Sequence, residues 1–130
     1  MRNPIMSRID TVFIHVTNLK ESVRWYSKLL AIEFNEDNQF EGPIHTFPMG
    51  KNRPGLTLDC HCFDEQYEFI PSNQPLFNLS TENIDEAYEF VKSIGAEIVT
   101  EIARYSDLSE FSLKDPDGNI LMICSCITEH

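Results

Sequence analysis

Two stretches of this chain, Thr11 to Ala31 (TVFIHVTNLKESVRWYSKLLA) and Leu76 to Ala96 (LFNLSTENIDEAYEFVKSIGA), follow one plan at a spacing of 65 residues. That spacing is half of the 130-residue length, so a duplicated unit is the strongest constraint on the fold. Each copy opens with a short apolar-rich strand. Asn18 and Asn83 can then cap a helix through the side-chain oxygen, with Glu21 and Glu86 three residues later as partners. Apolar residues follow at helical spacing: Val23, Tyr26, Leu29 and Leu30 in the first copy, and Ile84, Ala87, Phe90, Val91 and Ile94 in the second. Gly95 supplies a left-handed stop to the second helix.

The rest of the chain fits around these units. Ile44 to Pro48 and Gly55 to Phe63 read as strands separated by the turn composition MGKNRPG. The acidic, proline-bearing run DEQYEFIPSNQP, residues 64–75, is the join between halves. In the second half, Glu97 to Ala103, Glu110 to Lys114 and Ile120 to Cys126 are strands, the last two linked by the tight turn DPDGN. Each half reads strand, helix, then three strands. The expected fold is α+β: two tandem βαβββ modules, about 9–63 and 76–126, in one domain over 1–130, forming a cupped eight-stranded mixed sheet.

Composition narrows function. The formal net charge of −11, from 21 acidic and 10 basic residues without a basic cluster, disfavours nucleic acid as a partner. No apolar run approaches membrane-spanning length, and the N-terminus MRNPIMSRID has no signal-peptide core. A soluble cytoplasmic protein without membrane partners is expected. Cys60-His61-Cys62 and Cys124-Ser125-Cys126 have only one residue between thiols, shorter than structural zinc spacing, so they read as free thiols. A soft-metal site combining both pairs with His61 is the alternative. His45 and His130 read as loop or tail residues, and Trp25 and Phe90 as packing residues.

The βαβββ repeat, the helix text NLKESVRWYSKLLAIEF and the late hairpin DPDGN followed by ILMI resemble the vicinal-oxygen-chelate superfamily. This group holds glyoxalase, bleomycin-resistance proteins, fosfomycin-resistance proteins and extradiol dioxygenases. The resemblance spans about residues 9–126. It implies a homodimer and, in metal-dependent members, ligands from the first and last strand of each module. Carried onto this sequence, those positions are Thr11, Thr57, Leu76 and Met122, with Trp25-Tyr26 standing for the usual Phe-Tyr and Asn18 for an acidic cap. Two hydroxyls, an isobutyl and a thioether make no hard-cation site. No cofactor is expected at the standard position; a divalent metal elsewhere is the alternative.

Strand alternation puts Phe13 and His15 on the face of Thr11, Asp59 and His61 on that of Thr57, Asn78 and Ser80 on that of Leu76, and Cys124 on that of Met122. The opposite parity, Val12, Ile14, Val16, Leu56, Leu58, Phe77, Leu79, Leu121 and Ile123, suits packing under the helices. Phe13, His15, Asp59, His61, Asn78 and Met122 are the expected contacts of a small-molecule ligand in the sheet groove. His15 with Asp59 or His61 is the candidate acid–base pair. Three readings stay open: a metal-free binder like the bleomycin-resistance proteins, a lyase, isomerase or dioxygenase-type enzyme using a metal at His15, His61 and Asp59 or His15 as acid–base, and a non-catalytic dimeric module.

Overall fold

A computed structural model describes residues 1–126. The element order is β1 (Thr11–His15), α1 (Leu19–Leu30), β2 (Ile44–Phe47), β3 (Gly55–Asp59), β4 (Asn78–Ser80), α2 (Ile84–Ser93), β5 (Glu97–Ile98), β6 (Ala103–Arg104), β7 (Leu108–Lys114) and β8 (Ile120–Cys126). Both helices start where the caps predict. Asn18 Oδ1 accepts from the Glu21 amide and Asn83 Oδ1 from the Glu86 amide, each at 3.1 Å. These bonds satisfy amide groups that the first turn leaves without a helical partner. Gly95 takes φ +81° just past α2, whereas α1 closes on Ala31 at φ +55°. Among the described residues, no helix is long and apolar enough to cross a membrane.

The expected eight strands form two mixed sheets rather than one. A three-stranded sheet has the order β1-β3-β2, and a five-stranded sheet has β4-β8-β7-β5 with β6 also on β7. The first half has three strands where the βαβββ plan implies four, since residues 34–41 between α1 and β2 pair with neither neighbour. Asn35 Oδ1 accepts from the Asp37 amide at 2.9 Å, and the Asn38 amide donates to the Asn35 carbonyl at 3.1 Å. Asn and Asp side chains that bond their own backbone favour such turns over a ladder. In the second half the predicted strand Glu97 to Ala103 is broken into β5 and β6.

The duplication is written into the strand registers. Parallel β1–β3 pairs Phe13 with Thr57, Ile14 with Leu58 and His15 with Asp59. Parallel β4–β8 pairs Asn78 with Met122, Leu79 with Ile123 and Ser80 with Cys124, each 65 residues further on. Strand alternation sorts the core as expected: Ile14, Leu58 and Leu121 are fully buried, and Val16, Leu56 and Ile123 nearly so. Tyr26, Val23 and Val91 close the core from the helices.

The halves are latched at one corner, where the β7–β8 turn meets β1 and α1. The buried Tyr26 hydroxyl donates to Asp115 Oδ2 at 2.9 Å. Asn119 Nδ2 donates to the His15 carbonyl at 2.8 Å and to Asp115 Oδ2 at 3.0 Å. Asp117 accepts from the Thr17 amide at 3.1 Å and from the Thr17 hydroxyl. Shifted by 65 residues, Tyr26 becomes Val91, Asn119 becomes Pro54, and His15 becomes Ser80. The opposite corner therefore lacks the polar hub. A cavity of about 770 Å³ lies there, lined by Arg53, Pro54, Ser80, Glu86, Phe90 and Val91 among others.

Candidate functional site

The face of the first sheet turned away from α1 carries two clusters, one at each end. At one end stand three threonines. Thr57 Oγ1 lies 2.7 Å from Thr11 Oγ1 and 2.8 Å from Thr46 Oγ1, so the central hydroxyl bonds both neighbours. Gly55 makes room for them: a Cβ there would lie 3.1 Å from Thr46 Cγ2 and 3.3 Å from Thr11 Oγ1. A cavity of about 420 Å³ opens beside the threonines, lined also by Asp10, Phe13, Ile44, Met49 and Arg53. Phe13 and Ile44 are each 51% exposed, which leaves an apolar wall facing solvent.

Thr11 and Thr57 are two of the positions at which the family resemblance implies metal ligands. The donor chemistry does not fit a cation. These hydroxyls are neutral and already satisfy one another, and the corresponding residues of the second half are Leu76 and Met122.

At the other end His15, Asp59 and His61 come together. His15 Nδ1 lies 2.7 Å from His61 Nε2, and His61 Nε2 lies 3.5 Å from Asp59 Oδ2. The chain leaves β3 at Asp59 and turns sharply, with His61 at φ +52°, while the His61 amide donates to Asp59 Oδ1 at 2.9 Å. That turn returns the imidazole toward β1. Tyr67, from the join between halves, stacks on the His61 ring at 3.6 Å between centroids and 16° between planes. Among the described residues these three are the ones whose ligand atoms gather at metal-binding spacing, all within 4.8 Å of one another. Tyr67 carries no signal in the sequence, being a lone aromatic in an acidic loop without periodicity.

Asn78 and Met122 are direct register partners on the second sheet, so the six expected contacts divide between two sheets. His15, Asp59 and His61 form one cluster, Phe13 lies beside the threonines, and Asn78 lines the 770 Å³ cavity with Phe77 and Leu79. That larger cavity opens among apolar residues, Val12 and Leu56 of the first sheet and Leu29 and Leu30 of α1, which strand parity and helical spacing assign to packing. Among the described residues it holds no cluster of titratable side chains comparable to His15–Asp59–His61.

Other chemistry-bearing residues are accounted for. His45 is a β2 residue rather than a loop residue, packed edge-on against Phe40 and Phe47; burial pulls its imidazole below the usual range. His130 lies outside the described residues. All four cysteines are free, and neither pair joins the His15 cluster. Cys124 Sγ and Cys126 Sγ are 3.5 Å apart, and burial with the neighbouring thiol pushes Cys124 to about 11. It is a neutral thiol at physiological pH, and a weak nucleophile and ligand in that form.

The model of the family described as the Glyoxalase/Bleomycin resistance protein/Dioxygenase superfamily matches residues 8–123. No curated protein matches the sequence. Among solved structures, the chain resembles a superfamily member from Sphaerobacter thermophilus DSM 20745 at TM-score 0.71 and 19% identity, over 92% of this chain and 98% of that one. It resembles a glyoxalase/bleomycin resistance protein/dioxygenase from Alicyclobacillus acidocaldarius at TM-score 0.64 and 18% identity, over 98% and 96%. The lactoylglutathione lyase from Agrobacterium tumefaciens is similar at TM-score 0.68 and 14% identity, over 93% and 95%. At these identities the likeness is one of fold.

Proposed function

Because this chain belongs to the glyoxalase/bleomycin resistance protein/dioxygenase superfamily, we propose that it binds a small organic molecule on the face of the first sheet turned away from α1, with no cation at the family position. The observation that carries this reading is the pairing of the Thr11–Thr57–Thr46 hydroxyl chain with the 420 Å³ cavity beside it. A cavity of that size, with an apolar wall and a few fixed polar groups, suits an amphipathic ligand. Phe13 offers a ring for stacking, the outer hydroxyls of Thr11 and Thr46, each with one partner in the chain, and Arg53 offer hydrogen bonds, and Met49 adapts to irregular shape. The neutral threonines supply neither a base nor an anionic ligand, so binding is the role we assign to them. A homodimer belongs to the same reading, because the open edges of both sheets invite cover.

The test is an amide NMR titration with a panel of small aromatic acids, phenols and amines. Binding compounds are expected to shift Phe13, Thr46, Gly55 and Thr57, and Phe13→Ala is expected to weaken them about tenfold, the share of one stacked aromatic contact. If the panel instead shifts Leu29, Phe77 and Phe90, the ligand uses the other cavity and the proposal fails. A panel with no binder at millimolar concentration counts against it as well.

A further inference from the structure

We propose that His15, Asp59 and His61 form a three-ligand site for one divalent transition-metal ion of the zinc, nickel or cobalt type. The site is distinct from the threonine end of the same face. His15 lies four residues along β1 from Thr11, about 13 Å at the rise of a strand. Two imidazole nitrogens and one carboxylate oxygen are the donor set such ions prefer over magnesium or calcium.

The distances support coordination. Metal–nitrogen bonds of about 2.0–2.1 Å at tetrahedral angles put ligand atoms roughly 3.3 Å apart. The pair of nitrogens at 2.7 Å must open by about half an ångström, the 3.5 Å separation of His61 Nε2 and Asp59 Oδ2 already fits, and the longest separation in the cluster, up to 4.8 Å, must close as the side chains rotate onto the ion. As it stands, one imidazole must donate and the other accept, so a single proton holds them together. A cation would take both lone pairs at once and add the carboxylate, which a shared proton cannot.

The surroundings hold the ligands in position. The His61 amide fixes Asp59 Oδ1, which leaves Oδ2 directed at the histidines. Tyr67 stacked on His61 sets the plane of that ring, and the left-handed backbone at His61 sets where it emerges. Supports of this kind are what orient metal ligands elsewhere. Side-chain exposures of 23% for His61 and 18% for Asp59 leave an entry path. Three protein ligands leave a fourth position for water or for an oxygen of a bound molecule. The formal net charge of −11 raises the local concentration of cations.

The test uses the full chain, stripped with chelator and dialysed, with Zn²⁺ or Co²⁺ alone as the probe. Isothermal titration is expected to give one ion per chain, and Co²⁺ is expected to develop the intense visible absorption of a four-coordinate site. His15→Ala and His61→Ala are each expected to weaken binding about a hundredfold or more, since even supporting residues are worth 10–100-fold. His45→Ala, on a neighbouring strand, is expected to bind as the native chain does. Circular dichroism checks that each variant folds; His15→Gln and His61→Gln stand in if an alanine variant does not. Failure of native protein to bind either ion, or equal binding by the His15 and His61 variants, overturns the proposal. Because no organic compound is present, this result is independent of whether the cavity beside the threonines takes a ligand.

Discussion

Tyr26→Phe probes the latch between the halves with the smallest possible change. The ring is fully buried, and Phe keeps it, so no cavity term enters. What is lost is one hydroxyl donor, 2.9 Å from the carboxylate of the 5%-exposed Asp115. A hydrogen bond to a charged group is worth about 1.5–3 kcal/mol. Asp115 Oδ2 keeps Asn119 Nδ2 at 3.0 Å, which favours the lower half of that range, about 2 kcal/mol. At roughly 2.1 cal/mol/K of unfolding entropy per residue, 130 residues turn this into a Tm lowered by about 7 °C. The deficit must also depend on pH. Burial raises the Asp115 carboxyl above its ordinary range, opposed by bonds from Asn119 and Tyr26. A carboxyl raised in this way contributes stability that is fully present below its unfolded pKa and is lost as pH rises through the folded one. Removing the phenol moves the folded pKa further up and enlarges that loss. Urea unfolding of both proteins at neutral pH and down through the carboxyl range checks this. A deficit under about 0.5 kcal/mol at neutral pH, or one that does not shrink in acid, refutes the assignment.

Asn119→Ala should cost more than Tyr26→Phe, about 3 kcal/mol in the same assay, because it strands the His15 carbonyl, the Ser72 amide and Asp115 together. Ala31→Gly should stabilise the chain by about 1 kcal/mol, since Ala31 ends α1 at φ +55°, where a Cβ is unfavourable; an unchanged urea midpoint would refute this. Light scattering at micromolar concentration should give twice the chain mass, and a monomer there would remove the homodimer from the proposed function.

The halves were legible because their signals are local and repeated. Asn18 and Asn83 announce the helices, and the alternation of Ile14, Leu56, Leu58, Leu121 and Ile123 fixes which side is core. The fourth strand that the βαβββ plan implies for the first half is absent over residues 34–41, where the Asn35 side chain bonds the Asp37 amide, which no alternation pattern reports. The meeting of His15, Asp59 and His61 followed from parity, although His61 arrives through a left-handed turn beyond the end of β3 rather than along the strand. What was not legible depends on how one half sits on the other. DPDGN read as a turn, yet Asp115 and Asn119 are the buried anchors of Tyr26 and β1. The 770 Å³ cavity lies between residues that, within either half, look like ordinary core.

The unequal corners have a consequence for what a joined chain can become. Two identical half-length chains around a twofold axis would meet at two identical corners. Any tyrosine–aspartate–asparagine anchor introduced at one would appear at the other, and so would any opening. Covalent continuity through residues 64–75 lifts that restriction, because position 26 and position 91 are separate letters. One corner has been fastened with Tyr26, Asp115 and Asn119, while its counterpart with Val91, Arg53 and Pro54 stays hollow. Rigidity and vacancy, which a symmetric pair must share out equally, are here allotted to different ends of one molecule.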